Sequence, residues 1–143
     1  MSDKVLVTRE IPDAGLQSLK NFDVTVLSEA PPERGDLLEA AKGAAGVLST
    51  VTENIDAEFM DACGDGLKVV ANFAVGYDNV DVDAANERGV VVTNTPGVLD
   101  ETTADVAFML LLAAARRLGE SERVLRAGKW EWWGPKLFMG PDV

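Results

Sequence analysis

Apolar residues in the first hundred positions fall into five short, nearly continuous runs. They cover residues 4–8 (KVLVT), 23–27 (DVTVL), 46–51 (GVLSTV), 67–71 (LKVVA) and 90–93 (VVVT). The runs are rich in valine and show no strict alternation of apolar and polar positions. This is typical of strands buried on both faces of a sheet. The pattern therefore predicts five parallel strands.

The segments between these runs have apolar residues at helical spacing. A first helix is predicted to open at Pro12 with Ala14, Leu16 and Leu19 on its inner face, and others over residues 33–42, 54–63 and 82–88. Asp81 is placed to cap the last of these helices and Gly89 to end it. The alternation predicts a flavodoxin-like α/β fold, with strand order 2-1-3-4-5 and helices on both faces of the sheet.

The pattern changes at residue 100. Asp100 is expected to cap a helix over residues 102–118 whose middle, AFMLLLAAA, is apolar nearly all round. Such a helix requires burial on two sides, between domains or between subunits. The predicted organisation is a sheet domain over residues 1–99, this helical segment over residues 100–128, and a tryptophan-rich arm over residues 129–143.

Composition narrows the function. The net charge of −11 disfavours binding to nucleic acid or to an anionic membrane. The single cysteine, Cys63, allows no internal disulfide and, without any histidine to activate it, is expected to be a partly buried structural thiol. The N-terminus lacks a signal-peptide pattern, and the apolar run at residues 104–115 is too short to span a bilayer, so a cytoplasmic protein is expected.

The sequence lacks the motifs of most catalytic, phosphate-binding and metal-binding sites. The segment after the first strand, REIPDAG, has no glycine-rich phosphate loop, and the acidic residues of YDNVDVD do not have the spacing of a calcium loop. No metal site and no catalytic residues are predicted. The loop after the fourth strand, FAVGY, is the remaining candidate binding site, because ligands of open α/β sheets bind beyond the carboxyl ends of the strands. Gly76 there either admits a small anion to the backbone or simply makes a tight turn.

Residues 69–117, VVANFAVGYDNVDVDAANERGVVVTNTPGVLDETTADVAFMLLLAAARR, resemble the NAD(P)-dependent D-2-hydroxyacid dehydrogenases, and among them the glyoxylate/hydroxypyruvate reductases. The ending AGKWEWWGPKLFMGPDV fits the same resemblance. The resemblance implies that the chain is the substrate-binding domain of such an enzyme. It also implies a homodimer formed through the helix of residues 102–118 and the arm.

The resemblance implies roles for five residues. The backbone N–H groups of Val75 and Gly76 would hold the substrate carboxylate, and Val51 would line the pocket. Val75 and Thr103 would lie near the cofactor, and Trp133 would reach into the partner subunit's pocket.

The family's nucleotide-binding domain, with its glycine-rich fingerprint and its catalytic Arg, Glu and His, would follow residue 143. The chain alone is therefore expected to bind no NAD or NADP, to be inactive and to self-associate. The alternative is a stand-alone flavodoxin-like module of the FMN-binding or receiver type. The sequences STV after the third strand and TNTP after the fifth lack the Asp and Lys that a receiver needs.

Overall fold

A five-stranded parallel sheet with strand order β2-β1-β3-β4-β5 forms the first of two compact units in a computed structural model that describes residues 2–143. The strands are β1 (Lys4–Val7), β2 (Asp23–Val26), β3 (Gly46–Ser49), β4 (Val69–Asn72) and β5 (Val91–Thr93). The predicted strands and their order are confirmed, and the first unit ends at Gly97.

The hydrophobic core lies between one face of this sheet and three helices. These are α2 (Arg34–Ala41), α3 (Ala57–Cys63) and α4 (Val82–Glu87). Their inward side chains pack against alternate strand residues. The core includes Leu6, Leu37, Val47, Ile55, Phe59, Met60 and Val70. Alternation along each strand turns the remaining strand residues to the opposite face.

That opposite face is only thinly covered. A short helix, α1 (Asp13–Leu16), and the 3₁₀ turn Gln17–Leu19 lie beside an apolar groove of about 520 Å³. Strand residues Val5, Leu48, Val69 and Ala71 form the floor of the groove. The predicted inner face of the first helix is wrong in part, because no residue of α1 or of the 3₁₀ turn is buried. Pro12 stands at the N-cap and not in the first turn.

Capping side chains decide where two helices begin. The carboxylate of Asp56 accepts a hydrogen bond of 3.0 Å from the Phe59 N–H, so α3 begins at Ala57 and not at residue 54. Ile55 is fully buried ahead of the helix and pairs with Val80 in an isolated bridge. The predicted cap of α4 is confirmed, since Asp81 accepts from the Ala84 N–H at 2.9 Å.

The second unit contains two helices, α5 (Asp100–Ala115) and α6 (Leu118–Arg126). The prediction of one helix over residues 102–118 is corrected, because Arg117 adopts left-handed backbone angles (φ 53°, ψ 37°) and separates the two. Asp100 does not cap α5: Leu99 holds the cap position, and Asp100 lies in the first turn, where its charge still favours the helix N-terminus.

The arm folds back within this unit onto the junction between α5 and α6. Arg116 forms an ion pair of 3.1 Å with Asp142, and the Arg117 guanidinium lies 6.0 Å from the centre of the Phe138 ring. Gly140 is so close to α5 that a Cβ atom there would fall 1.8 Å from the Ala115 carbonyl oxygen.

No residue of α5 is buried, although six of its central side chains are large and apolar. Its aliphatic and aromatic surface (Val106, Phe108, Met109, Leu110, Leu111 and Leu112) is defined here as the α5 surface. Within residues 2–143, no helix has the length and apolar character needed to cross a membrane.

Candidate functional site

Two loops leave the carboxyl end of the sheet side by side. Ser49, the last residue of β3, stands opposite Asn72, the last residue of β4, so the loops at residues 50–56 and 73–81 begin next to each other. The carboxyl edge of a parallel sheet is where open α/β folds bind ligands. Val51, at 58% exposure, and Val75, at 39%, lie on these two loops, as expected.

The loop after β4 presents a row of free backbone donors. The N–H groups of Val75, Gly76 and Tyr77 have no acceptor among the residues that the structure describes. Each of the three residues is exposed. Successive unpaired N–H groups on an exposed loop attract an anion.

Three successive carbonyl groups of the same loop are occupied. The Ala74 carbonyl accepts from the Thr95 N–H at 2.8 Å, and the Val75 carbonyl accepts from the Asn94 side-chain amide at 2.8 Å. The Gly76 carbonyl accepts from the Asn72 side-chain amide at 2.9 Å. These three carbonyl groups are therefore occupied, whereas the N–H groups of Val75, Gly76 and Tyr77 are left free for a ligand.

A buried asparagine pair lies beneath the two loops. Asn72, only 2% exposed, accepts a hydrogen bond of 2.9 Å from the Ser49 hydroxyl and contacts the Asn79 side chain. The Asn79 amide donates to the Thr50 carbonyl at 2.9 Å and to the Glu53 carbonyl at 3.0 Å. The loop that carries Gly76 is therefore tied directly to the loop that carries Val51.

A buried carboxylate anchors the loop after β3. Glu53, whose side chain is 2% exposed, accepts hydrogen bonds from the hydroxyls of Thr8, Thr50 and Thr52, from the Thr50 N–H and from the Arg9 guanidinium. Burial alone would raise the pKa of this carboxyl, but the hydrogen bonds from the three threonines outweigh burial and hold the pKa below its ordinary value. Glu53 is therefore an ionised structural group at neutral pH.

The backbone at Gly76 does not require glycine. Its φ lies outside the left-handed region, and a Cβ atom built there would meet no heavy atom within 4 Å among the described residues. A tight turn that depends on glycine is thus not the reason for this residue. The described chain leaves open space beside the Gly76 Cα, and this favours the other interpretation, close approach of a ligand to the backbone.

Thr103 and Trp133 belong to the second unit, whereas Val51, Val75 and Gly76 belong to the first. Thr103 is in the first turn of α5 and lines a small apolar groove with Leu99, Val106 and Leu110. Trp133, at 76% exposure, lines a groove of about 420 Å³ with residues of α6 and the arm.

Other candidate chemistry finds no support in the described residues. No group of three or more acidic, histidine or cysteine side chains there is placed to hold a metal ion. Cys63 is buried, and burial raises its pKa to about 11, so the thiol is protonated and unreactive at neutral pH.

Glu53, Asn72, Asn79 and Asn94 were not predicted as site residues. Their signal was present in the sequence, because polar residues cluster directly after strands in STVTEN, ANFAVGYDN and TNTP. Such clusters at the carboxyl ends of adjacent parallel strands must meet once the strand order is known.

Comparison with known proteins gives one consistent result. Residues 5–129 match the family described as D-isomer specific 2-hydroxyacid dehydrogenase, catalytic domain. A glyoxylate reductase of Korarchaeum cryptofilum is 49% identical over 146 aligned positions, which cover all of this chain and 44% of that protein. The chain thus spans less than half the length of the curated relatives it matches.

Solved structures agree with this match. A protein of Thermus thermophilus has a TM-score of 0.94 at 46% identity, with 98% of this chain and 45% of that chain covered. The NADPH-dependent glyoxylate/hydroxypyruvate reductase of Sinorhizobium meliloti, solved with NADP and malonate, has a TM-score of 0.73 at 35% identity, with 100% of this chain and 43% of that chain covered.

Proposed function

Because the chain belongs to the D-isomer-specific 2-hydroxyacid dehydrogenase family, we propose that it is the substrate-binding part of a reductase. The substrates are small 2-keto acids of the glyoxylate/hydroxypyruvate class, which NADH or NADPH reduces to D-2-hydroxy acids. The observation that carries the proposal is the pair of free N–H groups at Val75 and Gly76 on an exposed loop. A dicarboxylate, malonate, is present in the structure of the Sinorhizobium relative, which supports a carboxylate as the ligand.

The substrate carboxylate would accept hydrogen bonds from the Val75 and Gly76 N–H groups. Hydrogen bonds to a charged group contribute about 1.5–3 kcal/mol each, so two of them predict a dissociation constant in roughly the millimolar range. Val51 would line the pocket on the neighbouring loop, and the Val75 side chain would lie against the nicotinamide. Val51 and Val75 are exposed at the same edge of the sheet, as both roles require.

Replacing Gly76 by alanine should abolish this binding and leave the fold intact. The new methyl group meets no atom of the described chain, so the free energy of unfolding should change by less than about 1 kcal/mol. The same methyl group would stand beside the Gly76 N–H, where it would crowd a carboxylate bound to the backbone. Titration of the ¹⁵N-labelled chain with glyoxylate should shift the Val75 and Gly76 amide signals in the wild type only.

Gly66→Ala is the matched control, since its Cβ atom would also meet open space and its φ is also outside the left-handed region. It should bind glyoxylate as the wild type does. Equal glyoxylate binding by Gly76→Ala and by the wild type would show that the carboxylate does not bind at this loop.

The 143-residue chain by itself should not transfer hydride. The turn after β1, where doubly wound sheets bind a dinucleotide, does not fit a pyrophosphate: it lacks glycine-rich spacing, and the ionised Glu53 contacts Thr8 and Arg9 there. No histidine is available as a general acid. Purified chain mixed with glyoxylate and NADH or NADPH should show no loss of nicotinamide absorbance above buffer; measurable turnover would contradict this.

The second unit is proposed to serve association and to complete the site. The exposed α5 surface and the arm would form a homodimer, with Trp133 reaching into the pocket of the partner subunit and Thr103 lying near the cofactor. The support is the amount of uncovered apolar surface: six large side chains of α5 and three tryptophans of the arm are exposed.

A further inference from the structure

The three free N–H groups of the candidate loop are oriented by three different hydrogen bonds. A peptide group is planar, so the carbonyl of one residue and the N–H of the next point in opposite directions as one rigid unit. Fixing the Ala74 carbonyl fixes the Val75 N–H. In the same way, the Val75 carbonyl fixes the Gly76 N–H, and the Gly76 carbonyl fixes the Tyr77 N–H.

The donors that fix these carbonyls differ in kind. The Thr95 backbone N–H holds the Ala74 carbonyl at 2.8 Å, as part of the main-chain path after β5. Side chains hold the other two: Asn94 donates to the Val75 carbonyl at 2.8 Å, and Asn72 donates to the Gly76 carbonyl at 2.9 Å. No other donor to the Val75 carbonyl or the Gly76 carbonyl exists in the described residues.

We propose that Asn94 and Asn72 are positioning residues of the carboxylate site: Asn94 aims the Gly76 N–H and Asn72 aims the Tyr77 N–H. The loop thereby offers the ligand a third donor of fixed orientation, the Tyr77 N–H, beside those of Val75 and Gly76. This inference rests on the proposed function for its ligand, although the orientation of the loop is independent of any ligand.

The two asparagines reach the loop from different strands. Asn94 follows β5 and is half-buried, whereas Asn72 ends β4 and is fully buried against Ser49 and Asn79. An asparagine amide can donate from one side while its oxygen is held on the other. Asn72 does so, because its oxygen accepts from Ser49 at 2.9 Å. Ordering the loop before the ligand arrives lowers the entropic cost of binding.

The test uses amide order parameters of the ¹⁵N-labelled chain, measured without ligand. In Asn94→Ala the order parameter of the Gly76 amide should fall from about 0.85 to below about 0.6, whereas the Val75 amide stays rigid. In Asn72→Ser, whose hydroxyl cannot reach the Gly76 carbonyl, the order parameter of the Tyr77 amide should fall more than those of the Val75 and Gly76 amides. General loosening of the loop in either variant would overturn the proposal, because a merely structural role moves all three amides together.

Binding supplies the second readout. Asn94→Ala should weaken glyoxylate binding by about tenfold or more, as expected for loss of one oriented charge-assisted hydrogen bond. Asn86→Ala is the matched control: Asn86 is exposed on α4, and its removal should change neither the loop order nor the affinity. An affinity of Asn94→Ala within about twofold of the wild type would contradict the inference, since loss of an oriented donor exceeds that change.

The outcomes separate the two claims. In one outcome the order parameter of Gly76 alone falls in Asn94→Ala while neither the wild type nor any variant binds glyoxylate. That result would contradict the proposed function but would support the role of Asn94 in orienting the loop. Asn94→Asp, which keeps the size but removes the donor, repeats the test if Asn94→Ala does not fold. Failure of both to fold would make Asn94 a structural residue and would overturn the proposal.

Discussion

Glutamine in place of Glu53 should lower the free energy of unfolding of the first unit by about 3 kcal/mol, as expected when a buried charged group loses its partners. The carboxylate accepts from five donors on Thr8, Arg9, Thr50 and Thr52. Glutamine offers one oxygen and brings an NH₂ group that faces donors. Several buried donors are then left unpaired. Native-state hydrogen exchange of the β1 and β3 amides measures the effect.

The stability lost in Glu53→Gln should become smaller as the pH falls. The pKa of Glu53 is lower in the folded chain than its ordinary value of 4.5. The ionised form therefore contributes stability that is fully present above pH 4.5 and disappears as the pH falls through the folded-state pKa. The difference between wild type and Glu53→Gln should accordingly shrink at acidic pH. A difference that stays constant down to full protonation would show that shape, and not charge, is what the site requires.

Glu87→Gln provides the control for Glu53→Gln. Glu87 ends α4 with its side chain 79% exposed, and its nearest cation is 4.0 Å away. Its substitution should change stability by less than about 0.5 kcal/mol. Equal effects of the two substitutions would remove Glu53 from its structural role.

The double substitution Phe108→Glu and Leu111→Glu should convert a dimer into a monomer. The two residues are one helical turn apart on α5 and exposed by 61% and 51%, so the change disturbs no packing within the chain. Each buried side chain of this size contributes about 1.5–3 kcal/mol, and a two-fold interface counts each one twice. The dissociation constant should rise by at least about a hundredfold.

Sedimentation equilibrium at micromolar concentration measures this change. The substitutions also lower the net charge from −11 to −13, so Gln17→Glu with Ser18→Glu, which adds the same two charges at exposed positions of the 3₁₀ turn, is the control. That control should remain a dimer. A wild-type chain that sediments as a monomer would refute the association itself.

The sequence predicted the sheet well because each strand carries its own signal. A run of four to six mostly apolar residues, followed by a polar residue, is visible in the sequence without knowledge of distant contacts. Asp81 was likewise predictable, since a cap acts on the N–H three residues ahead. The predicted start of α3 was wrong because it depends on contacts in space: Ile55 has helical spacing but pairs with Val80 in a β-bridge.

The helix after residue 100 shows a second limit. Its composition from residue 107 to residue 118 is mostly favourable to helix, and nothing local requires a break. The break at Arg117 coincides with the folded-back arm, where Arg116 pairs with Asp142 and Arg117 covers Phe138. Contacts between residues far apart in the sequence decided the backbone there, and a pattern of local spacing cannot contain them.

The residues of the proposed site come from the resemblance and stay a prediction, and the side chains that support the loop were not predicted. The resemblance pointed to Val75 and Gly76 because their place in the motif is distinctive. The asparagines that are proposed to orient the loop are ordinary polar residues until the strand order brings Asn72 and Asn94 to adjacent peptide groups of the loop. That convergence is a property of the sheet and not of any one segment.

Tyr77 and the tryptophans give the two units of this chain separate spectroscopic signals. Tyr77 is the sole tyrosine and belongs to the candidate loop, whereas the three tryptophans, Trp130, Trp132 and Trp133, all lie in the exposed arm. A fluorine label on tyrosine would give one resonance that reports on the loop. Indole emission would report on burial of the arm. Ligand binding and chain association can therefore be followed in one sample through separate signals, without adding or removing a residue.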